Sequence, residues 1–204
     1  MSSNISQPPK KPQPHDIPYL PPELWNQILL SLDSTDLPYL WTTLRSVSHR
    51  FSQIVEKAVE THYLPHYTHI SLIFPRRGPD MKLVHGSWVP LMTLKYAGLT
   101  PDRSRMILVT PETVKGKSDG EDVSMKELRE ARGMDEERMN GAEMSVAIGW
   151  KGALVPMSIE KDFRWDEACG VWRWKVDWKA LVSGFLKAKK EHRDRLAGRR
   201  RLKR

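Results

Sequence analysis

Two patterns of apolar residues divide this chain: a helical period near the N-terminus and an alternating period further on. The helical period predicts three helices within about 45 residues. They start at Pro22, at Leu37 and near Ser46 or Val47, and the third should stop before Pro65. In the first helix the apolar residues at helical spacing are Leu24, Trp25, Ile28, Leu29 and Leu32.

Beyond Pro65 the apolar residues alternate with polar ones, which is the period of a strand. The strand candidates are residues 69–74, 88–94, 105–110, 144–150, 152–159 and 171–178. In the last and clearest of them, Trp172, Trp174, Val176 and Trp178 share a face. The connections are too short for crossover helices, so antiparallel pairing is expected. The predicted fold class is α+β, with an N-terminal three-helix segment, an antiparallel β-sheet domain and a basic C-terminal helix.

The same patterns set the domain boundaries. Residues 1–17 are rich in proline and are expected to be a disordered leader. The helical segment spans residues 18–64, and the β-rich domain spans residues 65–178.

Within the β-rich domain, residues 111–141 are charged and predict a mobile insertion. Ser124 and Glu127 have the spacing of a capping box, which predicts a short exposed helix inside this insertion. Residues 179–204 are predicted to form a basic helix and tail, and the first turns of that helix should pack on the sheet.

Composition limits the class of protein. A chain of 204 residues with 39% hydrophobic side chains can form one or two modest domains, and it is too small for a large enzyme. Cys169 is the single cysteine, which excludes an internal disulfide framework and favours a reducing compartment, the nucleus and/or the cytoplasm. No stretch reaches the roughly 18 apolar residues of a membrane helix, so a soluble protein without a membrane partner is expected.

Positive charge is concentrated at the C-terminus. The net charge is +8, but residues 179–204 alone hold 11 basic and two acidic residues, so the rest of the chain is close to neutral. This tail is interpreted as a solvated end, as a nuclear-import signal in residues 198–204, or as an arm that binds the phosphates of nucleic acid or acidic lipid. No aromatic residue follows Phe185, which disfavours sequence-specific reading of bases.

Signs of catalysis or of a bound cofactor are weak. Residues 115–118 resemble the end of a phosphate loop, but Pro111 occupies the position of its leading glycine. A cluster of His62, His66 and His69 is better explained by a helix end that leads into a strand than by a metal site. Cys169 has no histidine near it in sequence. We therefore expect no enzymatic activity, no cofactor and no metal.

An ordered series of motifs in the helical segment resembles a known family. The series is Leu20-Pro21-Pro22-Glu23-Leu24-Trp25, Ile28-Leu29, Leu32, Asp36-Leu37, Leu44-Arg45-Ser46-Val47-Ser48 and Arg50-Phe51. It resembles the F-box motif over about residues 18–64, in a form similar to that of fungal F-box proteins. One departure is that the run between Asp36 and Val47 is a few residues longer than is usual in the family.

The resemblance implies that the three helices bind a Skp-type adaptor, which bridges to a cullin and so to a ubiquitin-conjugating enzyme. The adaptor contacts that it implies are Leu20, Pro21, Glu23, Leu24, Ile28, Leu29 and Leu37. The residues implied to hold the third helix in place are Val47, Phe51 and Ile54. The rest of the chain would select an unknown protein substrate, so that the protein presents substrates for ubiquitin-dependent degradation.

The residues themselves support an incomplete helical segment, because roughly 45 residues bury too little surface to be stable alone. Three alternatives stay open. The leucines are ordinary core covered by the chain's own sheet, the chain is a basic nuclear protein that binds nucleic acid through its tail, or it works with the adaptor without assembling a ligase.

Tryptophans are dense in the β-rich domain, and aromatic residues are frequent at recognition surfaces. The alternation of Trp172, Trp174 and Trp178 favours packing in the core over a ligand groove. Trp165 lies outside that alternation. It is the candidate for contact with a substrate.

Overall fold

The computed structural model describes residues 20–32, 36–77, 83–115, 122–131, 133–149 and 153–201. The predicted leader at residues 1–17 lies outside the described residues, and so do residues 33–35 between the first two predicted helices.

Helices form where the helical period predicts them. They are α1 (Pro22–Ser31), α2 (Leu37–Thr42) and α3 (His49–Ala58), and a 3-10 turn at Leu44–Ser46 joins α2 to α3. Ser48 caps α3, since its hydroxyl accepts a hydrogen bond of 3.2 Å from the backbone N–H of Phe51.

The predicted stop before Pro65 is wrong. A π-helical turn (Val59–Tyr63) continues α3 into a last turn, α4 (Leu64–Tyr67), which contains Pro65. In the π turn the backbone N–H of Leu64 bonds to the carbonyl of Val59, five residues earlier. Pro65, which has no backbone N–H to donate, is the second residue of α4 and lies just after the π turn.

Nine strands follow among the residues that the structure describes: β1 (Thr68–Arg77), β2 (Leu83–Leu99), β3 (Arg105–Val109), β4 (Thr113–Lys115), β5 (Asp122–Ser124), β6 (Glu143–Ile148), β7 (Val155–Met157), β8 (Phe163–Asp166) and β9 (Val171–Asp177). Seven of them form one sheet in the order β7-β6-β1-β2-β3-β9-β8, and β4 pairs with β5 separately. Each of these pairs is antiparallel, which confirms the predicted α+β class.

Alternation correctly assigns the faces of β9. Trp172, Trp174 and Val176 are buried, while Lys175 and Asp177 are exposed. Strand β8, which has only four residues and pairs with β9, was not predicted.

The described residues of the segment at 111–141 contain regular secondary structure. Besides the β4–β5 hairpin it contains α5 (Met125–Glu130) and α6 (Glu136–Gly141). The capping box is present, with Ser124 and Glu127 bonded reciprocally at 3.0 and 3.1 Å. Neither helix is merely exposed, because Met125 and Met139 are fully buried in the core. The mobility of this segment stays a prediction.

The last helix, α7 (Trp178–Arg201), packs its first turns on the sheet as predicted, and Leu181, Val182 and Phe185 are fully buried. It contacts β6 and β7 at one end of the strand order and β9 near the other, so the sheet curves around it. Gly184 permits close approach, since a Cβ there would lie 3.1 Å from the Met157 methyl group. In the described part of the chain, no helix combines the length and the apolar character that crossing a membrane requires.

Candidate functional site

Exposed apolar side chains concentrate in the N-terminal helices. Among the described residues, the large apolar side chains that are exposed are Leu20, Leu24, Ile28, Leu32, Tyr39, Val47 and Leu154. Six of these seven belong to residues 20–47. We call these six residues the outer helical surface. Apolar side chains that cluster in this way on a protein surface often mark an interaction site.

Four of the six lie on one side of α1 and its flanking residues. Leu24 and Ile28 are neighbours on one side of α1, because residues four apart lie above one another on a helix. Leu20 lies just before the helix and Leu32 directly follows it. The exposed fractions of all four are between 37% and 43%, so each leaves over a third of its surface to solvent. We call these four exposed side chains the apolar ridge.

The opposite side of α1 holds the helix to the protein. The Trp25 ring meets the Phe51 ring edge to face, with centroids 5.0 Å apart, and Leu29 is 1% exposed. At the start of the ridge, the Arg50 guanidinium donates a hydrogen bond of 2.9 Å to the Leu20 carbonyl. Contacts to α3 thus fix α1 with its ridge turned outward.

The sequence also explains how α1 begins. Pro22 occupies the first turn, where a proline suits a helix, and Glu23 adds negative charge at the positive end of the helix dipole. The backbone N–H of Trp25 bonds to the Pro21 carbonyl at 3.2 Å. This start places Pro21 and Glu23, both exposed, beside Leu24.

The structure divides the implied adaptor contacts into two groups. The exposed group is Leu20, Pro21, Glu23, Leu24 and Ile28. Leu29 and Leu37 are each 1% exposed and belong to the chain's own core, so the interpretation as ordinary core holds for these two. Of the residues implied to hold the third helix, Ile54 is buried and Phe51 packs on Trp25, but Val47 is 62% exposed and does not.

Three residues of the outer helical surface were not among the predicted adaptor contacts: Leu32, Tyr39 and Val47. Tyr39 is 58% exposed, although its neighbours Leu37, Leu40 and Trp41 are buried. A signal was present, because those three neighbours are spaced as one helical stripe and Tyr39 falls outside it.

Charged contacts join the helices to the rest of the chain. The Glu56 carboxylate of α3 accepts hydrogen bonds from Arg45 at 2.6 and 2.8 Å and from the Lys179 ammonium of α7 at 2.5 Å. Partial burial tends to raise the pKa of Glu56. The hydrogen bonds from Lys179 and Arg45 outweigh burial and leave this pKa below its ordinary value.

Aromatic contacts reinforce this junction between the helices and α7. The Trp41 and Trp178 rings lie 5.8 Å apart, and the Trp41 indole N–H donates a hydrogen bond of 2.9 Å to the Ser183 hydroxyl. The Trp178 indole N–H donates to the Arg103 carbonyl at 2.9 Å, and the Arg103 guanidinium pairs with Glu60.

Arg103 sits in a tight turn between β2 and β3 and has a positive φ of 58°. In the same turn the hydroxyls of Ser104 and Thr100 donate to the Asp102 carboxylate and lower its pKa to about 2. These local bonds fix the turn that presents Arg103 to Glu60.

Trp165 is less accessible than the sequence analysis expected. It is half-buried in β8, where its ring meets the Trp172 ring edge to face at a centroid distance of 5.4 Å. The Arg129 guanidinium lies 4.6 Å from the Trp165 ring centroid. These contacts hold Trp165 at the edge of the core, and its contact with a substrate stays a prediction.

The candidate chemical residues do not form a reactive group in the described part of the chain. The His62 and His66 rings lie 6.0 Å apart, but no set of three or more metal-ligating side chains gathers there or elsewhere among the described residues. Cys169 is exposed in the turn between β8 and β9. The phosphate-loop resemblance falls partly on residues 116–118, which lie outside the described residues.

Comparison with known proteins identifies the helical segment. The family model for the F-box domain matches residues 17–62. No curated protein and no solved structure matches the chain. The matched residues contain the whole outer helical surface and most of the contacts that orient it.

Proposed function

Since residues 17–62 form an F-box domain, we propose that this chain is the substrate-receptor subunit of a cullin-type ubiquitin ligase. An F-box domain implies binding to a Skp-type adaptor and involvement in such a ligase. The proposal adds that residues beyond the domain bind a protein substrate and present it for ubiquitin-dependent degradation. It also adds that the chain has no active site of its own and works in the nucleus and/or the cytoplasm.

The observation that carries the proposal is the apolar ridge on α1. Leu24 and Ile28 are 43% and 42% exposed, although Trp25 and Leu29 on the other side already anchor the helix. Apolar surface left in water is unfavourable by about 25 cal/mol for each Å² that a partner would cover. A partner that covers this ridge therefore gains affinity without having to fold the helix.

In this proposal the adaptor contacts are the exposed residues of the resemblance, joined by two from the structure. Leu20, Leu24 and Ile28 are the apolar centre of the contact, and Tyr39 and Val47 extend it. A stable interface needs about 800 Å² from each partner, with a few well-packed apolar residues at its centre. Leu29 and Leu37 have an indirect role, because their burial in the core fixes the backbone that carries the contact residues.

Ligase action by positioning requires that the adaptor-binding helices and the substrate-binding region hold a fixed arrangement. Contacts across the junction favour this mechanism, since Glu56 binds Lys179 and Trp41 binds Ser183. A substrate held by the sheet region would stay near the conjugating enzyme, and its lysines would gain effective concentration.

The test is a pull-down of a purified Skp-type adaptor with the double variant Leu24→Asp, Ile28→Asp. Two carboxylates forced into a desolvated contact should weaken adaptor binding at least a hundredfold, or about 2.7 kcal/mol. Leu154→Asp is the matched control, because Leu154 is equally exposed, at 44%, but lies outside the helices. Its adaptor binding should equal that of the wild type.

Far-UV circular dichroism of both variants shows whether the sheet remains folded. A folded double variant that still binds the adaptor would refute the assigned surface. Wild-type protein that binds no adaptor would refute the proposed function itself.

Two further measurements separate the remaining alternatives. Copurification of a cullin with the chain and the adaptor distinguishes ligase assembly from a role with the adaptor alone. Adaptor binding through an apolar ridge should survive moderate salt, whereas binding of nucleic acid by the basic tail should weaken steeply.

A further inference from the structure

The second half of α7 leaves the protein core. The fully buried side chains of this helix end at Phe185, and Leu186 is half-buried. From Arg193 onward, every side chain of α7 that the structure describes is exposed, yet the helix continues to Arg201. At about 1.5 Å for each residue, residues 187–201 form a helical segment about 22 Å long. We call this segment the basic arm.

The basic arm carries far more positive than negative charge. Glu191 and Asp194 are its two carboxylates, and with eight basic residues and a neutral His192 its net charge is +6. Asp194 pairs with the Arg193 guanidinium at 3.8 Å. Among the described side chains, Lys187, Lys190 and Arg195 form no ion pair. The eight basic residues are Lys187, Lys189, Lys190, Arg193, Arg195, Arg199, Arg200 and Arg201.

Helix stability does not account for so many cations. Cations near the C-terminus of a helix are favourable, but that effect falls off within the last turn, and the basic arm spans about four turns. Lys190 also lies one turn from both Lys187 and Arg193, and Lys189 lies one turn from Arg193. Like charges at such spacing destabilise a helix. A bound polyanion would relieve this repulsion.

The basic arm lacks the apolar residues that two other kinds of partner require. Leu196 is its one large apolar residue, and it has no aromatic residue. A helix that lies in a membrane surface buries an apolar face. The centre of a protein interface is likewise apolar and depleted of charged residues. Interfaces with DNA are much more positively charged, so the composition of the arm fits a nucleic acid.

The shape of the basic arm favours a duplex over a single strand. Proteins bind single strands largely by stacking the bases on aromatic side chains, which the arm does not have. The major groove of B-form DNA is about 12 Å wide and admits an α-helix between two rows of phosphates. Lys187 and Arg195 lie on one side of α7, and Lys190 and Arg193 lie on another. Cations on two sides of the helix can meet both rows.

We propose that the basic arm of α7 binds duplex DNA through its phosphates, without reading the base sequence. This activity is additional to adaptor binding, because the basic arm and the outer helical surface have no residue in common. It goes beyond the proposed function and does not rest on it. With both activities, the chain would hold a ubiquitin ligase next to proteins bound to DNA.

The test is the fluorescence anisotropy of a labelled 24-base-pair duplex titrated with the full chain. Neutralisation of about five phosphates predicts that the affinity falls at least a hundredfold between 50 and 200 mM salt. Contacts to phosphates carry no sequence information, so two duplexes of unrelated sequence should bind within about threefold of each other.

The double variant Lys190→Gln, Arg193→Gln tests the basic arm itself. Glutamine is about as favourable in a helix as lysine or arginine, so far-UV circular dichroism should show α7 intact. This variant should bind the duplex at least tenfold more weakly. The slope of log affinity against log salt should fall by about 1.8, because each lost phosphate contact removes about 0.9.

Lys95→Gln, Lys126→Gln is the matched control. Both lysines are exposed and lie outside α7, and the two double variants have the same net charge. The control should bind the duplex as the wild type does. Equal binding by the control and by the arm variant would overturn the proposal, since only the net charge of the chain would then matter.

Two further results would overturn the proposal. One is the absence of duplex binding by the wild type at 50 mM salt. The other is tighter binding, at equal salt, to vesicles with 30% phosphatidylserine, to polyglutamate or to a 24-nucleotide single strand. Such a result would assign the basic arm to an acidic membrane, an acidic protein or single-stranded nucleic acid instead.

Adaptor pull-down with the same variants separates this inference from the proposed function. The variant Lys190→Gln, Arg193→Gln should bind the adaptor normally, and Leu24→Asp, Ile28→Asp should bind the duplex normally. Failure of DNA binding with intact adaptor binding overturns the inference alone. Failure of wild-type adaptor binding with intact DNA binding overturns the proposed function alone.

Discussion

The exposure of large apolar side chains differs between residues 20–47 and residues 68–201. The shorter region exposes six large apolar residues, whereas Leu154 is the one large apolar residue exposed among the described residues of the longer region. The longer region covers its own apolar surface with α6 and α7, while the shorter one covers only the inner side of its helices. Exposure in this protein therefore depends on position in the fold far more than on residue type.

The contrast is sharpest within α1, where Leu24 and Leu29 are the same residue type on opposite sides. Leu24 is 43% exposed and Leu29 is 1% exposed. One leucine should therefore contribute to the folding of the chain and the other to its association with a partner.

The largest expected change in stability follows from this pair. Leu29→Ala should lower the free energy of unfolding by about 2–5 kcal/mol, because it leaves a cavity in a packed site. Leu24→Ala should change it by no more than about 0.5 kcal/mol. Urea denaturation of both variants measures the difference, and similar losses would show that the two sides of α1 are equivalent in folding.

A smaller change is expected at the junction between the two regions. Glu56→Gln should cost about 1 kcal/mol at pH 7, a value kept low because Lys179 is 43% and Arg45 32% exposed and solvent screens both partners. Glu167→Gln is the control, since the Glu167–Arg129 pair is at 3.1 Å but lies on the surface. It should cost less than Glu56→Gln.

The pH dependence of the Glu56 contribution has a definite sign. Because the folded pKa of Glu56 lies below the ordinary value of 4.5, its contribution is present above about pH 4.5 and is lost as the pH falls through the folded pKa. The stability difference between the wild type and Glu56→Gln should therefore narrow below pH 4.5. A difference that stays constant down to pH 3 would mean that the ionised carboxylate does not stabilise the junction.

The smallest change in stability is expected at the exposed residues beyond α1. Tyr39→Ala and Val47→Ala should each alter the free energy of unfolding by no more than about 0.5 kcal/mol. Each should nevertheless weaken adaptor binding by about threefold to tenfold, as residues at the rim of an interface do. Titration calorimetry measures the second effect, and unchanged affinity would confine the contact to the α1 ridge.

The sequence predicted the positions of helices and strands better than it predicted their pairing and packing. Helical and alternating periods located α1 to α3 and β9, because the spacing of apolar residues is a local property. Strand β8 was missed since its four residues are identified as a strand mainly by pairing with β9, including Trp165 opposite Trp172. The predicted helix end before Pro65 was wrong for a similar reason. The π turn before Pro65 depends on backbone hydrogen bonds that span several residues.

The local spacing of apolar residues also did not predict which residues of the candidate site are buried. The helical spacing made most of the circumference of α1 apolar, so it did not distinguish the side that meets α3 from the side left in solvent. Only the packing of Trp25 on Phe51 decides that Leu29 is covered and Leu24 is not. The methionines of α5 and α6 were likewise hidden in a charged segment whose overall composition suggested solvent.

The contact of Trp41 and Lys179 with their partners across the junction has a geometric consequence. These contacts restrict rotation of the sheet relative to the N-terminal helices. A substrate bound to the sheet would therefore keep one orientation relative to the cullin. Ubiquitination would then be limited to lysines at a defined distance, along the substrate, from the segment that binds the sheet.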